Sequence, residues 1–176
     1  MLSGRSGRAR IALAATAVVL AVAAAALLTG GSPRSGSRAL PTAKNFTLPA
    51  LGHPGQHLML AAYAGRPVIV NFFASWCVPC KKETPLLARF YRAEHGRVII
   101  LGVDSNDTAA AALRFVHAAG VTYPVGFDPA AAAAAAYGVI AIPQTFFLNA
   151  HHRVVKRVFG AVTMKDLRTV TAARGQ

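Results

Sequence analysis

The sequence has little acidic charge. Only six Asp and Glu residues stand against 19 Lys and Arg in 176 residues, so the formal net charge is +13. Such an excess of basic residues first suggests a nucleic-acid-binding protein. Six of the basic residues precede Asn45 with no acid among them, and the others are dispersed, with no Arg or Lys stripe interleaved with aromatics. This dispersion is typical of a basic, solvated surface, and the sequence therefore predicts no nucleic-acid partner.

Cysteine is equally scarce. Cys77 and Cys80 are the only two, so any intramolecular disulfide joins them. A zinc site on this pair would need further ligands, but the sequence has no second C-x-x-C and no H-x-x-x-H. Lys81 follows Cys80 directly and excludes the C-x-x-C-H motif of haem attachment. A disulfide closing so short a loop would stabilise the fold little. Redox exchange is therefore the leading use of the pair, and we predict no metal at it.

One long apolar run, from Ile11 to Leu28, follows three arginines near the N-terminus. It is long enough to cross a bilayer as a helix. The arginines before it predict a basic cytoplasmic N-terminus at residues 1–10 and an exported C-terminal part. We therefore predict a single-pass signal-anchor at residues 11–29, in the cell membrane, with the catalytic domain extracytoplasmic. The alternative is a cleaved signal peptide and secretion, because the small residues Ala23 to Ala26 offer cleavage sites.

The rest of the chain divides into a linker and one folded domain. Residues 30–44 are rich in Gly, Ser and Pro, which predicts a flexible linker, so the domain is expected at residues 45–176. Runs of β-branched and aromatic residues at 68–73 and 97–103 are typical of buried strands, and helical periodicity follows each run. This βαβα order predicts a parallel sheet covered by helices.

The C-terminal part of the domain adds antiparallel strands. Strand-like runs at residues 144–149 and 153–159 are so close in sequence that they can form only an antiparallel hairpin. The alanine run at residues 130–136 predicts a short helix before them, and the pattern at residues 163–173 predicts an amphipathic helix after them. The expected fold class is therefore α/β, with a central mixed sheet flanked by helices.

The two cysteines lie at the junction between the first core strand and its helix. Unpaired N–H groups and the helix dipole at this position favour an anion, which makes the Cys77 thiolate available as a nucleophile. Cys80 lies one turn further on and can resolve the resulting mixed disulfide. Lys81 and Lys82 add positive charge beside both sulfurs, although exposed residues of a first helical turn are the simpler interpretation of these two.

The stretch NFFASWCVPCKKETP, residues 71–85, resembles the active-site segment of the thioredoxin superfamily. Its pattern Trp-Cys-x-Pro-Cys-x-x-Glu-x-Pro is similar to that of the membrane-anchored TlpA/ResA-like branch. The sequence from Ile142 to Phe146 resembles the family's cis-proline loop, and residues 123–137 resemble the βα insertion of this branch. The resemblance implies a thioredoxin-like fold and a redox-active thiol-disulfide oxidoreductase that needs no organic cofactor.

The resemblance also assigns roles to individual residues. It implies that Glu83, three residues after Cys80, is the proton acceptor or pKa tuner of the cysteine pair. Many thioredoxins carry a buried Asp on the core strand where this chain has Asn71, so Glu83 is the only carboxylate expected nearby. The residues expected to contact the substrate are Trp76, Pro79, Ile142 and Pro143. The peptide bond between the last two is expected to be cis.

Three functions remain open from the sequence. The resemblance favours a reductant in extracytoplasmic protein maturation, including the thiols of apocytochrome c in cytochrome c-type biogenesis, with electrons from a membrane thiol reductase. An oxidising, disulfide-forming thioredoxin-like protein is the first alternative. The second is a copper carrier that uses Cys77 and Cys80 as soft ligands. The absence of a third His or Met ligand at a recognisable spacing weakens the copper carrier.

Overall fold

The structure, a computed structural model of the chain, describes residues 40–172. The predicted cytoplasmic segment at 1–10, the predicted anchor or signal segment at 11–29 and most of the predicted linker lie outside this range. Among the described helices, none is both long enough and apolar enough to span a membrane.

The hydrogen-bonded part of the chain begins a few residues before residue 45, where the domain is expected to start. The N–H of Ala43 donates to the carbonyl of His152 (2.8 Å), and the N–H of Val154 donates to the carbonyl of Pro41 (2.8 Å). These hydrogen bonds tie the end of the predicted linker to the C-terminal hairpin. The paired part of the chain therefore begins near Pro41 and not at Asn45, because backbone groups can pair whatever the side-chain composition.

Within residues 40–172 the chain forms two sheets and four α-helices. The strands are β1 (Thr47–Pro49), β2 (His57–Met59), β3 (Val68–Phe73), β4 (Ile99–Ser105), β5 (Val125–Asp128), β6 (Gln144–Leu148) and β7 (Val154–Phe159). The helices are α1 (Val78–Ala93), α2 (Ala109–Ala118), α3 (Ala132–Ala136) and α4 (Met164–Ala172), and a 3₁₀ turn spans Leu60–Tyr63. Strands β1 and β2 form a small antiparallel sheet of their own.

The main sheet has the order β5-β4-β3-β6-β7. Strands β3, β4 and β5 are parallel, whereas β6 and β7 are antiparallel to their neighbours, so the predicted mixed sheet and hairpin are confirmed. Every residue of β3 and of β4 is buried. Central strands with cores on both faces are expected to be apolar along their whole length and not in alternation.

Each face of the main sheet has its own core. On one face, Phe73 and Ile100 pack with Leu87 of α1. On the other, Phe72 and Leu101 pack with Tyr137, which directly follows α3. The sheet is therefore covered on both sides, as the βαβα pattern predicts.

The insertion between α2 and β6 consists of β5 and α3, as the resemblance implies. Oδ1 of Asp128, at the end of β5, accepts hydrogen bonds from the N–H groups of Ala132 (2.8 Å) and Ala133 (3.2 Å). The helix begins at Ala132 and not at residue 130, because Ala131 has a left-handed backbone (φ +53°). Sequence alone placed the start two residues too early because poly-alanine carries no local signal for this turn.

The topology brings two loops to one edge of the main sheet. Strand β3 ends at Phe73, and the chain then passes through Cys77 into α1. Strand β6 runs in the opposite direction and begins where β3 ends, because Gln144 pairs with Phe72. Pro143 therefore lies beside the segment that leaves β3. This carboxyl end of the parallel strands is where α/β sheets commonly place their functional sites.

Candidate active site

Cys77 and Cys80 form a disulfide at the N-terminus of α1, with their Cα atoms 5.2 Å apart. Cys77 is the N-cap residue, and its sulfur accepts a hydrogen bond from the N–H of Cys80 (3.2 Å). The side chain of Cys77 remains 4% exposed, whereas Cys80 is 0% exposed. The outer sulfur at the helix N-terminus is therefore that of Cys77, which fits the nucleophilic role predicted for it and the resolving role predicted for Cys80.

Glu83 lies one turn after Cys80 on α1, with its side chain buried. Its Oε1 accepts a hydrogen bond from Nδ2 of Asn71 (2.9 Å), and its Oε2 accepts one from the N–H of Val162 (2.8 Å). Burial raises the pKa of the Glu83 carboxyl above its ordinary value, although the two hydrogen bonds oppose this shift. Glu83 therefore takes up a proton more readily than an exposed glutamate, as a proton acceptor for the cysteine pair would need to do.

Asn71 connects Glu83 to the second loop. Its Nδ2 also donates to Oγ1 of Thr145 on β6 (3.0 Å), two residues after Pro143. Its Oδ1 is buried and has no hydrogen-bond partner among the described residues. At the position where many thioredoxins have an acid, this chain therefore uses an amide to hold the carboxylate of Glu83.

Tyr123 is a residue of this region that sequence reasoning did not single out. It is buried, and its hydroxyl has no hydrogen-bond partner within residues 40–172. Burial raises its pKa, and the negative charge of Glu83 raises it further, so the hydroxyl stays protonated near the carboxylate. Gly102 makes room for the ring, because a Cβ there would lie 3.2 Å from Cε2 of Tyr123. A glycine inside a buried strand was the available signal for this close approach.

The loop after β4 supports the segment that precedes Cys77. Nε1 of Trp76 donates to the carbonyl of Asn106 (2.9 Å), and the N–H of Ser75 donates to Oδ2 of Asp107 (2.6 Å). The indole of Trp76 is exposed beside the disulfide, where a residue that contacts the substrate is expected. Asp107 therefore anchors the active-site segment, and the next residue, Thr108, is the N-cap residue of α2.

A second buried carboxyl lies beneath this loop. Asp104 is fully buried, and neither of its oxygens accepts a hydrogen bond from a described donor. Burial, followed by the nearby charges of Asp107 and Asp128, raises its pKa to about 8. Burial also opposes ionisation of Asp107, but hydrogen bonds from Ser75 and Thr108 outweigh it and lower its pKa. Asp104 is therefore the protonated member of the pair at neutral pH.

The loop before β6 has the geometry that the resemblance implies. The peptide bond between Ile142 and Pro143 is cis. Pro143 is buried, its carbonyl accepts a hydrogen bond from the N–H of Gly160 (2.9 Å), and Ile142 packs against both cores of the sheet. Pro79 is exposed in the first turn of α1. Trp76 and Pro79 thus lie at the junction of β3 and α1, and Ile142 and Pro143 lie on the loop before β6 at the same edge. The contact of these four residues with a substrate stays a prediction.

A redox pair with one outer and one inner sulfur, at the start of the helix that follows a central strand, defines a thiol-disulfide oxidoreductase with a thioredoxin-like fold. Residues 35–173 match the family model described as Redoxin, and the chain belongs to that family.

Curated relatives agree with this class. The chain is 35% identical over 122 residues to thiol-disulfide oxidoreductase ResA of Bacillus subtilis (strain 168), covering 69% of this chain and 67% of the relative. It is 36% identical over 127 residues to thiol:disulfide interchange protein CycY of Rhizobium leguminosarum bv. viciae, covering 72% and 63%.

Solved structures agree as well. MTB DsbF superposes with a TM-score of 0.68 at 27% identity, covering 76% of this chain and 98% of that one. StoA of Bacillus subtilis superposes with a TM-score of 0.63 at 27% identity, covering 74% and 98%.

The raised pKa of Asp104 predicts a pH-dependent stability. The carboxyl titrates near 3.8 when unfolded and near 8 when folded, so its contribution to the free energy of unfolding is fully present below about pH 4 and is lost as the pH rises through about 8. Asp104→Asn imitates the protonated acid. We therefore expect the variant to gain stability relative to the wild type between pH 5 and 8, by at most about 1.4 kcal/mol per pH unit.

Urea unfolding of the oxidised chain across this pH range measures the effect. The matched control is Asp166→Asn on α4, because hydrogen bonds from Lys156 and Thr163 lower the pKa of Asp166 to about 2. This control should leave the slope between pH 5 and 8 unchanged. Parallel profiles for Asp104→Asn and the wild type would show that Asp104 is ionised throughout.

Proposed function

We propose that this thiol-disulfide oxidoreductase works outside the cytoplasm as a reductant of protein disulfides, held to the cell membrane by residues 11–29. The observation that carries the proposed direction is the buried carboxyl of Glu83, one turn from the inner cysteine and held by Asn71 and Val162. The basic segment and apolar run at the N-terminus support the proposed location.

The reaction begins with the dithiol form of the pair. The Cys77 thiolate attacks one sulfur of the substrate disulfide, and the other substrate sulfur leaves as a thiolate. The Cys80 thiol then gives its proton to the Glu83 carboxylate, and the resulting thiolate attacks the sulfur of Cys77. The second substrate thiolate leaves, so the substrate has gained two electrons and Cys77 and Cys80 are joined again. A membrane thiol reductase would restore the dithiol.

Electrostatics favour the reducing direction. A helix N-terminus stabilises a thiolate and pushes the pair towards an oxidant. An ionised Glu83 opposes this by like-charge repulsion, and its burial makes the repulsion act at low effective dielectric. Lys81 and Lys82 are exposed, so their favourable charge is screened by water. The carboxylate therefore destabilises the dithiolate relative to the disulfide.

Substrates of this reductant are protein disulfides, in keeping with the names of the curated relatives. We propose apocytochrome c as the first substrate to test, because its C-x-x-C-H cysteines have to be available as thiols for haem attachment.

The reduction potential tests the proposed direction. We expect a value nearer the about −270 mV of thioredoxin than the about −120 mV of a strong periplasmic oxidant. Equilibration of the full-length chain in defined thiol-disulfide buffers, followed by alkylation, measures it. A potential above about −180 mV, in the range of disulfide isomerase, would make the protein an oxidant and reverse the proposal.

The roles of the two cysteines predict different trapping behaviour. Without Cys80 the mixed disulfide on Cys77 cannot be resolved, so Cys80→Ser should accumulate covalent complexes with disulfide-bearing proteins. Cys77→Ser should not, because the remaining sulfur is fully buried. Non-reducing electrophoresis of both variants after incubation with insulin measures the complexes. Equal trapping by both variants would show that the assignment is wrong.

Glu83→Gln tests the carboxylate while preserving its shape. Removing the negative charge should favour the Cys77 thiolate and move the midpoint of iodoacetamide alkylation towards lower pH, by about one pH unit. Resolution of mixed disulfides should slow, because the proton acceptor is gone. Glu94→Gln, just after the last residue of the same helix, is the control and should change neither quantity. An unchanged alkylation profile in Glu83→Gln would remove Glu83 from the mechanism.

A further inference from the structure

No acidic side chain is exposed within residues 40–172, although all six acids of the chain lie there. Three are buried: Glu83, Asp104 and Asp128. The other three are half-buried and engaged. Glu94 pairs with Arg97 (3.8 Å), Asp166 pairs with Lys156 (2.6 Å), and Asp107 accepts the hydrogen bond from Ser75.

The basic side chains are distributed in the opposite way. Of the thirteen Lys and Arg residues in the described range, twelve are exposed: Lys44, Arg66, Lys81, Lys82, Arg89, Arg92, Arg97, Arg114, Arg153, Arg157, Lys165 and Arg168. The surface of this part of the chain therefore shows positive charge almost alone. Such a surface attracts an anionic partner over long distances.

Positive charge lies beside the disulfide at the start of α1. Lys81 and Lys82 follow Cys80 directly and are exposed on the first turns of α1.

Large apolar side chains are exposed at the same edge of the sheet. Trp76 and Val78, on either side of Cys77, are 55% and 62% exposed, and Phe159 is 63% exposed. Phe159 pairs with Gln144, which follows Pro143. Ile140, two residues before Ile142, is 87% exposed. We refer to these four apolar residues, together with the two lysines, as the redox face. It consists of Trp76, Val78, Lys81, Lys82, Ile140 and Phe159.

We propose that the redox face binds a cysteine-bearing polypeptide segment that carries apolar residues and acidic side chains next to its cysteine. The inference rests on the proposed function, in which the substrate is a protein disulfide, and it names the chemistry of that substrate. Apolar side chains of the segment cover the exposed rings, and its carboxylates meet the lysines. A polypeptide is favoured over an anionic membrane because a bilayer seated on this face would separate Cys77 from its substrate.

Three synthetic disulfide peptides test the proposal. They share one sequence with an apolar residue beside each cysteine, and they differ only in having Glu, Gln or Lys at the flanking positions. The reduced full-length chain, used in excess in non-ionic detergent, should reduce the Glu peptide in a single turnover with a second-order rate constant about 10-fold higher than that for the Lys peptide at low ionic strength. The difference should shrink in about 0.5 M salt, where exposed charges are screened.

Matched variants locate the effect. Lys81→Gln with Lys82→Gln should reduce the ratio of the Glu-peptide rate to the Lys-peptide rate by at least about threefold. The control is the double variant Lys44→Gln with Arg97→Gln, which removes the same amount of charge at the opposite edge of the sheet. Lys44 lies near the β6–β7 turn, and Arg97 lies just before β4. This control should leave the ratio unchanged. Equal loss in both pairs would show a general effect of net charge and overturn the assignment to the redox face.

Binding measured without chemistry separates this proposal from the proposed function. Peptides with Ser in place of Cys cannot react, and the fluorescence of Trp76, the sole tryptophan, reports their binding. Two results together would support the surface and count against the proposed function. The Ser form of the Glu peptide would bind more tightly than the other Ser peptides, and none of the three disulfide peptides would be reduced. Reduction of all three disulfide peptides, with equal affinities for their Ser forms, would support that function and overturn the surface. Binding to phosphatidylglycerol vesicles in that case would assign the basic surface to lipid.

Discussion

The carboxylate of Glu83 joins three parts of the chain that are distant in sequence. From α1 it accepts a hydrogen bond from Asn71 on β3 and another from the backbone of Val162, just before α4. Burying a charged group without such partners would be costly, so the two donors lower the cost of docking the helix in this orientation. The position of Cys80, one turn earlier, follows from that docking. The same group therefore ties the fold to the cysteine pair, for which it is the proposed proton acceptor.

The active site is framed from two sides by loops at one edge of the sheet. The loop after β4 holds the approach to Cys77 through Ser75 and Trp76. The loop before β6 is held at Pro143 by the backbone of Gly160. The bonds at Ser75 and Pro143 use backbone groups of the loops, and the bond from Trp76 fixes its indole N–H while the ring stays exposed. The surface around Cys77 thus remains open to a partner while its backbone is fixed.

The sequence predicted those features that depend on neighbours along the chain. The strand at Val68–Phe73 was visible as an apolar run, and Glu83 was placed near Cys80 by helical spacing. The partner of Glu83 at Val162 could not be predicted, because 79 residues separate them. The buried, protonated Asp104 also escaped notice, since a single acid at the end of a strand is ordinarily exposed. Tertiary contacts determine the partner of Glu83 and the burial of Asp104, and no local sequence pattern predicts such contacts.

The one-sided charge of the surface also governs how copies of this protein meet one another. Exposed aromatic and aliphatic side chains around an accessible cysteine ordinarily favour face-to-face association of two molecules, in which the two could exchange disulfides. Because Lys81 and Lys82 lie at that surface and no exposed carboxylate is described that could neutralise them, two identical faces repel each other at low ionic strength. Like charge at this face therefore opposes the close approach of Cys77 in one copy to the disulfide of another, which is the step that self-exchange requires.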